Sequence, residues 1–314
     1  MLANVVVDII EDDIMDYGKE LLDILLKDRT TQKNIIWATS DYNDLGTFYR
    51  DNQEINSKWI TGSYKKVIQP RVSKTKSDQS SRTKEKAEVF TPSWLCNQQN
   101  NSIDEEWFGR RDIFNIETHR SWLSIQKKIE YAEEEGKDWK CYVDARRIEI
   151  SCGEAPYLVS RYDTISGDTI NLENRIGLLD RKIRVVNENV STEENWLKWI
   201  ERAFESVYGY EYQGDNLLLA RENLLYTFIE NIDYKFNRKP TLRELKRIAT
   251  IISWNIWQMD GITCAVPLCD RRKLMEQLSL FDSNEILGEK TFCKIKNWRS
   301  KVILEYRSLL KGEK

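Results

Sequence analysis

The chain reads as an α/β protein, in which helices cover a sheet of mostly parallel strands. In its second half, short strand-like runs alternate with helical stretches, the order a parallel sheet requires. Three of these runs end in tight turns that carry a glycine or an acid, and ligands bind beyond the carboxyl ends of parallel strands. Hydrophobic residues make up 40% and charged residues 32% of the chain, a globular balance.

Residues 1–87 form an N-terminal α+β region. "GKELLDILLKD" has helical spacing, with Leu21, Leu22, Ile24, Leu25 and Leu26 on its apolar side. "KNIIWATSDYNDLG" reads as a short buried strand and a turn. Residues 71–86, "RVSKTKSDQSSRTKEK", read as a basic linker or solvated loop that offers phosphate contacts.

A second region runs over 88–275. "AEVFTPSWLC" opens a helix, with Thr91 as N-cap and Pro92 in the first turn. "SIQKKIEYAEEEGKD" reads as a charged helix ending near Gly136. "RRIEISCGEAPYLVSRY" reads as a strand, a Cys-Gly turn and a helix. Residues 164–190 read as an inserted loop or hairpin. A helix over 193–206 leads to the strand "VYGYEY", a "QGDN" turn and a helix from Leu217. Pro240-Thr241 opens another helix, and a short apolar run follows and ends at Asp260-Gly261. Residues 276–314 are a C-terminal extension closed by a basic amphipathic helix.

Three turns carry candidate chemistry. Glu149 ends one strand, and Gly153 lets the backbone turn tightly and approach a ligand. Amides opening the next helix would receive a carboxylate or phosphate. Glu211, between a strand and a helix, suits the two hydroxyls of a ribose, and Asp260 suits the exocyclic amine of an adenine. Read singly, each is equally an ordinary turn residue.

Other chemistries find little support. The net charge is −3, so nucleic-acid binding requires a local patch. The 11 Trp and 14 Tyr fill cores, though such rings also stack on bases. Six Cys without a CxxC pair, beside a single His, His119, argue against zinc. No metal is expected. "GEK" at 288–290 and "DARR" at 144–147 supply nuclease-like residue types without their strand context. An N-terminus without a leader or membrane-span pattern, with scattered Cys, predicts a cytoplasmic protein.

Across about 88–263 the chain resembles the DNA adenine methyltransferases, most closely the methylation (M) subunits of restriction–modification systems. "EVFTP" resembles that family's first signature, which implies that Phe90, Thr91 and Pro92 hold the methionine end of S-adenosylmethionine. "EISCGEAPYL" is similar to its Glu/Asp-Pro-Ala-Cys-Gly-x-Gly-x-Phe-Leu turn, with Glu149 and Gly153 in matching positions. Ile150 stands where Pro is usual, and Ala155 where Gly is usual. "YGYEYQGDNLLLARENLL" is similar to the second-strand motif, with Gln213-Gly214 in place of Asp-Pro. The resemblance implies that Glu211 binds the ribose and that Asp260 faces the adenine. It also implies a Rossmann-like, three-layer S-adenosylmethionine-dependent methyltransferase fold and DNA as partner.

The family transfers its methyl group with an Asn/Asp-Pro-Pro-Tyr/Phe loop. This chain has five Pro, at 70, 92, 156, 240 and 267, and none are adjacent. "KNWR" places Asn297 before Trp298 without either proline. Catalytic residues are therefore unassigned. Either a second restriction–modification subunit supplies the loop, or the chain is a cut-down M subunit that binds but does not methylate; the alternative is a non-catalytic DNA- or subunit-binding module on a degenerate methyltransferase fold.

Overall fold

In the computed structural model, which describes residues 7–86, 88–269 and 290–310, the centre is a parallel sheet of three short strands. These are β3 (Arg147–Glu149), β4 (Val207–Glu211) and β5 (Ile256–Gln258), with β4 in the middle. Two antiparallel hairpins complete the strands: β1 (Asn115–Thr118) with β2 (Ser121–Ser124), and β6 (Lys294–Asn297) with β7 (Val302–Glu305).

Side chains of a strand alternate between faces. Val207 joins the helical core, whereas Tyr208 and Tyr210 pack on the other side against Trp257, Tyr306 and the β6–β7 hairpin. The helical side holds α6 (Leu178–Asn189), α7 (Glu193–Glu205), α8 (Gly214–Phe236) and α9 (Leu242–Asn255). α8 is nearly all buried because it packs on α9, α2 (Lys19–Leu26), β4 and β5. α9 begins as its sequence demands: Thr241 Oγ1 accepts the Glu244 amide, and the Glu244 carboxylate accepts the Thr241 amide.

Leu21, Leu22, Leu25 and Leu26 of α2 share one apolar core with Leu218, Leu245 and Ile252, so residues before 87 are part of the central packing. Arg221 of α8 secures this junction. Wholly buried, it donates to the carbonyls of Leu25, Lys27, Ser253 and Ile256, and burial lowers its pKa to about 9.

Several expectations fail, each for a physical reason. Residues 71–86 are not a solvated linker: α3 (Lys76–Lys86) occupies most of them, and Arg82 is buried. "SIQKKIEYAEEEG" is not helical. Its carbonyls at Ile125 and Lys127 take hydrogen bonds from Arg184, and its Ile129 amide donates to Glu188, so α6 satisfies the backbone instead of a local turn. Residues 155–162 form turns rather than a helix: Ala155, which would open the helix, has positive φ (64°), as do Ser151 and Gly153 in the turn before it (49° and 52°).

Residues 164–190 begin with a bridge between Tyr162 and Thr169, as a hairpin would, but end in α6. The closing segment folds as β6, β7 and the short α10 (Tyr306–Leu310), not as one helix. Asn297 turns the hairpin by accepting the Arg299 and Ser300 amides, and Trp298 donates its indole N–H to Asn255, so "KNWR" is structural. Residues 270–289 and 311–314, including parts of the second region, the C-terminal extension and "GEK", lie outside the described residues.

Candidate functional site

Beyond the carboxyl ends of β3 and β4 lies a cavity of about 610 Å³, within the usual range for small-molecule sites. Phe90, Thr91, Glu149, Gly153 and Glu211 all line it. Two contacts join the turns. The Gly153 amide donates to Glu211 Oε2 at 2.9 Å. A methyl group added at Gly153 would lie 3.5 Å from the Phe90 ring, which is ordinary contact, so what demands glycine there is the positive φ.

Two predicted residues do not line the cavity. Asp260 Oδ1 accepts the amides of Ile262 and Thr263, making a local turn. Pro92 is the N-cap of α4 (Ser93–Phe108). Nor is Thr91 the cap: the Ser93 amide donates to the remote Asp163 carboxylate at 2.7 Å. No helix amides await an anion after Gly153. The Tyr157 and Leu158 amides donate to Glu149 instead.

Of the positions that differ from the resembled motif, the structure accounts for Gly214 and not for Ala155. Gly214 donates its amide to the Trp37 carbonyl at 2.9 Å, which proline cannot do. A Cβ at Gly214 would come within 2.0 Å of the Ile36 carbonyl oxygen. Ala155 occupies a left-handed conformation at φ 64°, where glycine is the unstrained residue.

The wall is acidic. Asp51, Glu88, Glu149 and Glu211 line it, and no Lys, Arg or His does among the described residues. Burial pushes Glu149 well above the ordinary carboxylate range. It also raises Glu211, against the opposing amides of Gln213 and Gly153. Burial raises the Cys152 thiol strongly, so it is no thiolate nucleophile.

One guanidinium organises the wall. Arg82, from the segment read as linker, reaches Glu88 (2.7 Å), Asp215 (2.8 Å), Asp41 (2.8 Å) and the Gln213 side-chain oxygen (3.0 Å). Lys74 and the Tyr42 hydroxyl also meet Asp215. Burial alone would raise Asp215, but Arg82 and Lys74 hold it below the usual range. Arg82 thereby joins three chain segments around the cavity: 41–42, 88–91 and 211–216.

Sequence reasoning missed Arg82, Glu88 and Asn216. Glu88 carried the only available signal, its place two residues before Phe90. Arg82 sits in a Ser- and Lys-rich run whose composition is that of a solvated loop.

Comparison with protein-family models, curated proteins and solved structures finds no match for this chain. No helix among the described residues is long and apolar enough to cross a membrane, and none of the six cysteines is in a disulfide.

Proposed function

We propose that this protein binds S-adenosylmethionine at the β3–β4 cavity and acts as an M-subunit-like component of a restriction–modification system, modifying adenine in DNA when a partner supplies the catalytic loop. One observation carries the reading: the turns at Phe90, Gly153 and Glu211, distant in sequence, line a single acidic cavity of about 610 Å³. Carboxyl groups around a cavity suit a sulfonium, because a bound cation favours their ionised forms, and that charge separates this cofactor from its demethylated product. The cavity also has acceptors to spare. Among the described residues, Glu88 Oε1 and Asn216 Oδ1 are buried without hydrogen-bond partners.

On this reading Glu211 meets the ribose, and Phe90 and Thr91 lie against the methionine arm. Glu211 already takes the Gly153 amide on one oxygen and the Gln213 amide on the other, so the ribose hydroxyls would use its remaining lone pairs. The bound cofactor would supply an electrophilic methyl group. What the chain's own residues do is bind and orient it.

Calorimetric titration with S-adenosylmethionine tests binding. Heat is expected, and Glu211→Ala weakens it. A filter assay with tritiated cofactor and duplex DNA tests transfer. The isolated chain is expected to be inactive, because it has no Pro-Pro loop. Absence of heat with the cofactor, together with a complex with DNA, would replace this reading with the non-catalytic module.

A further inference from the structure

We propose that Glu88 and Asn216 form an ammonium-binding subsite, so that the cavity selects a ligand carrying an ammonium group over the same nucleoside without one. The proposal rests on the cofactor reading above for the rest of the ligand, and it assigns two residues that the sequence motifs leave without a role.

Three independent features support it. The first is unmet hydrogen bonding. Glu88 Oε2 accepts from Arg82 and from the Asn216 side-chain amide at 3.0 Å, which fixes Asn216 with its nitrogen towards Glu88. One acceptor on each residue, Glu88 Oε1 and Asn216 Oδ1, is then left buried without a partner. Buried acceptors are rarely left so, and each unsatisfied one is costly. The missing partner is a donor, and an ammonium group offers three hydrogens to the two oxygens.

The second feature is charge. The cluster behind this wall contains the carboxylates of Asp41, Glu88 and Asp215 against the cations of Arg82 and Lys74. One negative charge is left over. The third is rigidity. Arg82 holds Glu88 in place, and both residues are buried (7% and 1% exposed), so little side-chain freedom is lost on binding.

The test titrates the full chain with two neutral thioethers that share a nucleoside. S-adenosylhomocysteine carries the amino-acid ammonium; 5′-methylthioadenosine does not. Wild type is expected to prefer the first by about tenfold or more. Glu88→Gln is expected to erase that preference, read as the ratio of the two affinities within the variant, so that a general change in binding cancels. Equal affinities in wild type, or a preference that survives Glu88→Gln, overturns the subsite and leaves the cofactor reading standing. If neither nucleoside binds, the cofactor reading fails by itself. The subsite is then decided by thermal melting in ethylammonium chloride against equal sodium chloride. Protection in wild type that is lost in Glu88→Gln keeps it, and no protection ends it. A melt of unliganded Glu88→Gln confirms that the variant folds.

Discussion

Replacing Arg82 by Met removes the one cation that touches three carboxylates while keeping most of the side chain's bulk. Asp215 is wholly buried and Glu88 nearly so, with side chains 0% and 4% exposed, whereas Asp41 reaches solvent at 24%. The substitution leaves Lys74 alone, at 3.2 Å from Asp215, to balance the two buried acids. Breaking a buried ion pair by removing one partner costs about 3–5 kcal/mol, because the surviving charge stays buried. At roughly 2–4 °C per kcal/mol for a chain of this size, the melting point should fall by about 10 °C. Chemical denaturation followed by tryptophan fluorescence measures this directly. Adding Asp215→Asn to the Met variant should restore part of the loss, since it removes the stranded charge. The pH dependence has a definite sign. Asp215 is held below its ordinary value of 3.8, so its stabilisation is complete above that value and disappears as acid takes the pH beneath it. A loss under about 1 kcal/mol, with no recovery in the double variant, would refute the view that Arg82 clasps this wall.

Gly214→Ala should destabilise by about 1–3 kcal/mol in urea titrations, because its Cβ meets the Ile36 carbonyl; an unchanged midpoint would contradict that contact. Ala155→Gly should raise stability by up to about 1 kcal/mol by relieving a left-handed alanine, and a lower midpoint would show that its buried methyl outweighs the strain. Glu11 and Glu222 are buried, and all four of their carboxylate oxygens lack hydrogen-bond partners among the described residues. Burial pushes Glu11 up to about 8 and raises Glu222 well above its usual value. A carboxyl whose folded pKa is raised stays protonated while the unfolded chain ionises, so stability should fall as pH rises from about 4.5 towards 8. Glu222→Gln should stabilise the protein more at pH 8 than at pH 5, and a pH-independent effect would exclude the pair as the cause.

Local signals determined a good deal. The leucine spacing of 21–26, the alternation in "VYGYE" and the Thr241–Glu244 box each encode their element through neighbours in sequence, and the structure has all three. Glu149, Gly153 and Glu211 were legible as candidates because tight turns after strands restrict residue type, whereas Phe90 was legible only through the family resemblance. What only the tertiary structure decided depended on partners far away in the chain. "SIQKKIEYAEEEG" has helical composition, but Arg184 and Glu188 satisfy part of its backbone outside any helix. The 71–86 run looks solvated by composition, yet Arg82 finds Asp41, Glu88 and Asp215 and is buried among them. A charge is stable inside a protein only where opposite charges or hydrogen-bonding groups converge on it, and no stretch of sequence taken alone records that convergence.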